Sequence, residues 1–135
     1  MPAGYSGTPL ARKLGLKPAS VVAVINEPDG FRSLLDPIPE DVVFRSALRG
    51  NLDLVIAFFT VRSKLAARLP SLVRAVYPDG GLWLAWPKKA SGMATDIGGA
   101  DVRELGLAAG VVDIKVCAID DTWSGHRFAH RLENR

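Results

Sequence analysis

Hydrophobic positions in this chain come in two rhythms. Ser20–Asn26 (SVVAVIN), Leu52–Thr60 (LDLVIAFFT) and Leu82–Trp86 are apolar on consecutive positions and rich in β-branched or aromatic residues. Strands buried on both faces read this way, as in a parallel sheet. Val111–Ile119 alternates instead, with Asp113, Lys115 and Cys117 on one parity and Ile114, Val116 and Ala118 on the other. That pattern predicts a half-exposed strand near an edge. His126–Leu132 follows the turn Asp120–Gly125 and is expected to pair back as an antiparallel hairpin.

The second rhythm is helical. Over 61–77, Val61, Leu65, Leu69, Leu72, Val73 and Val76 fall on one face. Thr60 or Ser63 is the expected cap, and Pro70 should kink the helix. Thr8-Pro9-Leu10 predicts a helix start, with Gly15 as its stop. Asp29 is expected to cap a short helix burying Phe31, Leu34 and Leu35. Asp101-Val102-Arg103-Glu104 reads as a capping box opening another. A short strand near Val42–Phe44 poses a difficulty. Parallel strands need a crossover of about a dozen residues, and Arg45–Asn51 offers fewer. One helical turn over Ser46–Arg49 is the expectation; an edge strand of different direction is the alternative.

These elements add up to an α/β domain with an open sheet and helices on both faces. A single domain is expected over 1–135, with an N-terminal helix segment (1–19) and a sheet core (20–132). The composition supports a folded core: 48% of residues are hydrophobic and 23% charged. The net charge is only +3, and the 17 basic residues are scattered along the chain. Nucleic acid is therefore disfavoured as a partner, because phosphate affinity needs clustered cations. The single cysteine, Cys117, excludes an internal disulfide. The opening MPAGYSGTPLARKLG lacks the apolar region of a signal peptide, and Leu54–Phe59 is too short to span a bilayer. A cytoplasmic protein without membrane attachment is expected.

The order of elements, with its closing antiparallel hairpin, resembles the class I SAM-dependent methyltransferase architecture. Leu52-Asp53-Leu54-Val55-Ile56 resembles that family's fourth strand (D-x-V), and Pro78-Asp79-Gly80-Gly81 resembles the P-G-G turn into its fifth. The fold class this implies is a Rossmann-like three-layer sandwich, with a mostly parallel sheet of about six strands ending in an antiparallel hairpin. The resemblance also implies SAM as cofactor, but the turn after the first strand departs from it. Asn26-Glu27-Pro28-Asp29-Gly30 has one glycine, and Pro28 removes a backbone donor. No cofactor is therefore expected. Gly4–Leu10, Trp86–Gly92 and Val116–Gly125 also resemble a family of small bacterial proteins classified as a domain of unknown function, a resemblance that implies a fold and no activity.

Ligands of open α/β sheets sit beyond the carboxyl ends of the parallel strands. The segments expected there are Asn26-Glu27, Thr60–Ser63, Trp86–Ser91 and Asp120–Trp123, with Tyr5-Ser6-Gly7 able to fold over them. Lys88 or Lys89 could hold an anion; the alternative is a solvated loop pair. Asp120 and Asp121 could accept protons or salt-bridge the lysines, with Ser91 and Thr122 supplying hydroxyls. Trp86 and Trp123 could clamp a flat ligand, or simply cap the core. No histidine has ligand spacing with the aspartates, so no metal is expected. His126 and His130 are about 13 Å apart if both lie on one strand. Cys117 reads as an inert core residue. The expected function is non-catalytic binding of a small anionic ligand or a protein partner, with a SAM-dependent or SAM-binding enzyme as the alternative. Oligomeric state stays open.

Overall fold

The computed structural model describes residues 8–135. The stretch Tyr5-Ser6-Gly7, expected to cover the rim, lies outside the described residues. Four strands run parallel: β1 (Val21–Ile25), β2 (Val43–Arg45), β3 (Leu54–Phe58) and β4 (Gly81–Pro87). β5 (Val111–Ala118) and β6 (Trp123–His130) complete a six-stranded sheet in the order β2-β1-β3-β4-β6-β5. β6 is antiparallel to both neighbours. The consecutive apolar runs became the central strands for the expected reason: β3 and β4 are buried at every position.

Two cores lie on opposite sides of the sheet. One joins alternate strand residues, including Val55, Ala57, Leu82 and Leu84, to α3 (Arg62–Ala75) and α4 (Gly99–Ala108). The other joins Val22, Val24, Ile56 and Trp83 to α1 (Leu10–Leu14) and α2 (Phe31–Leu34). Trp83 is fully buried, and its indole N–H donates to the Leu14 carbonyl at 2.8 Å, which ties α1 to the sheet. α3 buries Leu65, Leu69, Leu72 and Val73 and runs for 14 residues through Pro70 without a break.

Several boundaries differ from expectation. No helical turn forms over Ser46–Arg49. β2 is three residues long, so the return path is short and irregular, held by Arg45 Nη1 donating to the Arg49 carbonyl at 2.8 Å. Gly30, not Asp29, precedes α2, and Leu34 turns outward while Leu35 is buried. β6 begins at Trp123, so the turn before it is tighter than Asp120–Gly125. α4 begins at Gly99, and Asp101 is its third residue. The Asp101 carboxylate accepts the Gly98 N–H at 2.8 Å, so it caps from inside the helix. In β5 a register shift falls between Asp113 and Lys115. It turns Asp113 toward α4 and His126, while Lys115 lies over Trp83 on the other face. Strict alternation had placed both on one face; the extra residue in the bulge splits them.

Candidate functional site

The switch point of the sheet lies at β1, because the chain leaves it for β2 on one side and returns to β3 on the other. At this rim emerge the ends of β1, β3, β4 and β5 and the start of β6. The loops after β4 and β5 meet there: the Lys88 backbone N–H donates to the Thr122 carbonyl at 2.8 Å. The half-buried Lys88 ammonium donates to the Asp120 carbonyl at 2.7 Å. The lysine thus meets the backbone of the aspartate turn, not a carboxylate. Asp120 Oδ1 faces inward instead, accepting the N–H groups of Thr122 and Trp123 at 2.8 and 2.7 Å. This Asx arrangement closes the turn by satisfying backbone donors. Lys89 and Asp121 are exposed.

The other expected residues are placed as follows. Asn26 sits at φ 56°, and its amide donates to the Phe58 carbonyl at 3.0 Å, latching the β1 turn onto β3. Glu27 pairs with Arg32 at 2.7 Å. Ser91 Oγ donates to the Lys88 carbonyl at 2.7 Å and accepts the Met93 N–H at 3.2 Å. Trp86 and Trp123 are nearly buried and belong to different cores, so they stand on opposite sheet faces and cannot clamp one ligand between them. Trp123 packs edge-on against Phe58 at 5.0 Å between ring centroids, and Phe58 against Phe31 at 4.9 Å. This aromatic column stands under the β1 turn.

Sequence reasoning missed two contributors. Phe31 and Phe58 were read only as core. Within the long Pro87–Ala100 loop Thr95 was read as a helix start beside a bound anion and Asp96 was unassigned, yet both anchor the loop: Thr95 Oγ1 donates to the Thr60 carbonyl at 2.7 Å, and Asp96 Oδ1 accepts the Arg62 N–H at 2.6 Å. Asp96 therefore supplies the cap of α3 that Thr60 and Ser63 do not. The signal lay in the run Thr95-Asp96, two residue types that bond free backbone groups, just ahead of a helix.

Several ionisable groups are shifted by their surroundings. Asp101 is held below the usual carboxylate range by the Gly98 N–H and by Arg62, against the opposing effect of burial. Burial pushes the Cys117 thiol up, as suits an unreactive residue. Burial also lowers His126, against the pull of Asp113, whose Oδ2 is 3.7 Å from Nε2. Its Nε2 has no hydrogen-bond partner among the described residues. His130 Nε2 is engaged with the Val73 carbonyl at 2.7 Å.

This topology, five strands running one way with one antiparallel strand inserted next to the edge, matches solved methyltransferases. A SAM-dependent methyltransferase from Aquifex aeolicus superposes with a TM-score of 0.61 at 16% identity, covering 87% of this chain and 85% of that one. The fold is that of the class I SAM-dependent methyltransferases. A putative methyltransferase from Haloferax volcanii, solved in complex with the Trm112 methyltransferase activator, gives 0.62 at 12% identity over 90% and 88%. Magnesium protoporphyrin IX methyltransferase from Synechocystis PCC 6803, solved with bound SAM, gives 0.58 at 12% over 90% and 74%. No protein-family model matches the chain, and no curated protein matches it by sequence. Among the described residues no helix is long and apolar enough to cross a membrane.

Proposed function

We propose that the protein uses this methyltransferase-like fold for binding, taking a small anionic ligand or a protein partner at the carboxyl-end rim beside Lys88, Lys89 and Thr122. The observation that carries the reading is the closed turn after β1. Asn26 is latched to the Phe58 carbonyl, Pro28 withholds a backbone donor, and the Phe31–Phe58–Trp123 column stands beneath. A nucleoside cofactor approaching that turn would meet one glycine, and a run of backbone N–H groups interrupted at Pro28. On the neighbouring loop Lys88 uses one of its three donors on Asp120, leaving two for an anion, with Lys89 adjacent in the loop.

The likeness to a methyltransferase solved with SAM bound favours the second reading, a SAM-binding enzyme. Calorimetric titration separates the two. The binding reading expects no heat with SAM, and a dissociation constant in the micromolar range would overturn it. On the positive side, an anionic metabolite at about 100 times its dissociation constant should raise stability by about 2.7 kcal/mol, and Lys88→Gln should abolish that gain.

A further inference from the structure

A second basic feature lies away from the rim, on the outer surface of the α3 layer. The irregular link after β2 and the outward side of α3 enclose a groove of about 500 Å³ lined by Ala47, Leu48, Arg49, Arg68, Ser71, Arg74 and Ala75. Three of the seven lining residues are arginines, and none is acidic. The sequence hides this convergence, because Arg49 and Arg68 are far apart in the chain and α3 looks merely basic on one side. Folding brings them to opposite walls of one depression. Arg45 adds a fourth guanidinium at its end, since its Nη1 bonds the Arg49 carbonyl.

None of these four guanidiniums pairs with a carboxylate among the described residues, whereas Arg32, Arg62 and Arg103 each do. Among the described residues, the lining side chains bond one another once, from Arg74 Nη2 to Ser71 Oγ at 3.3 Å. α3 itself carries no acidic residue at all. Clustered like charges repel, and this repulsion is relieved only by an anion or by solvent ions. A guanidinium presents parallel N–H donors that match the oxygens of a phosphate, and it stays charged at any working pH.

The spacing narrows the ligand. Arg68 and Arg74 are six residues apart, about 9 Å along the helix at 1.5 Å per residue, and Arg49 faces them from the other wall. One phosphate cannot occupy all three forks at once without drawing the side chains together. We propose that this groove binds a ligand carrying at least two phosphate groups, with Arg49, Arg68 and Arg74 each serving as a phosphate clamp over the apolar floor of Ala47, Leu48 and Ala75. A nucleoside triphosphate and a stretch of RNA both present that chemistry. The proposal is independent of the rim reading.

The test uses the full chain with three probes: inorganic pyrophosphate, a nucleoside triphosphate and a labelled single-stranded RNA oligonucleotide. Binding is measured by calorimetry for the first two and by anisotropy for the third. Arg68→Gln/Arg74→Gln should weaken binding at least tenfold. Lys64→Gln/Arg12→Gln removes the same charge outside the groove and should weaken it less than threefold. Binding of the small phosphates without RNA identifies a metabolite site. Binding of RNA, with a salt slope that falls by about two in the groove variant, identifies a polynucleotide site. Either result supports the proposal. No binding of any probe at low salt, or equal loss in the two variants, overturns it.

Discussion

Gly106 offers a sharp test of how α4 is seated on the sheet. It lies inside α4, where alanine would normally be the better residue by about 1 kcal/mol. Here the space is taken. A Cβ at this position would stand 2.8 Å from Phe128 Cζ and 2.9 Å from Cδ2, well inside contact distance. The ring cannot swing aside easily. Phe128 is fully buried, and the His126 ring stacks on it with centroids 4.6 Å apart and planes 17° from parallel. Overpacking a rigid site costs about 1–3 kcal/mol. Offsetting the helix gain of about 1 kcal/mol leaves a net loss of about 1 kcal/mol for Gly106→Ala. Urea unfolding followed by tryptophan fluorescence would read this as a midpoint lowered by about 0.5 M, taking a slope of about 2 kcal/mol/M. The mechanism makes a second demand. In a Phe128→Leu background the added methyl has room, so the same substitution should be neutral or stabilising, a coupling of at least about 1 kcal/mol. An alanine variant more stable than the parent by about 1 kcal/mol, the ordinary helix gain, would refute the close packing of ring on helix.

Leu69→Ala should lower stability by about 2–5 kcal/mol, as truncation of a buried leucine does, and a loss below about 0.5 kcal/mol in the same denaturation assay would mean that this face of α3 is not core. Asp96→Ala removes the one side-chain cap found on α3 among the described residues and should cost about 1 kcal/mol, with amide exchange accelerating first at Arg62 and Ser63. His126 is neutral-favouring in the folded state, so its folded proton affinity falls below the usual value of 6.5. The unfolded chain then binds more protons below that value, and stability should drop as pH falls through the window under 6.5. Unfolding free energy at about pH 5 and about pH 7.5 should differ by less in His126→Gln than in the parent, and an unchanged difference would exclude His126 as the source.

The central strands were legible because double burial writes an uninterrupted apolar run, and no surface element in this chain imitates it. The long face of α3 was legible from spacing alone. What stayed hidden was decided by contacts distant in sequence. The β5 bulge depends on how Arg103 and His126 meet Asp113, and no local pattern encodes that meeting. The α4 start was misjudged because Asp101 can cap equally well from the first or the third position. At the rim the loops did converge, yet the partner of Lys88 is a backbone carbonyl, a group every residue carries and no motif announces. The arginine groove was invisible for the same reason: its walls come from separate elements.

The two outer strands of the sheet are built unlike the rest. β2 spans three residues, and β5 is interrupted by its bulge, with Asp113 and Lys115 flanking the exposed Ile114. Unpaired strand edges invite a second molecule to continue the hydrogen-bond ladder, and short, kinked or charged borders refuse that invitation. A chain whose β1, β3 and β4 are fully apolar can therefore be concentrated without growing into fibrils only while these borders hold. Straightening β5 by deleting Ile114 would lengthen a regular, partly apolar border, and turbidity on standing would be the first sign that a purely intramolecular sheet had become a template.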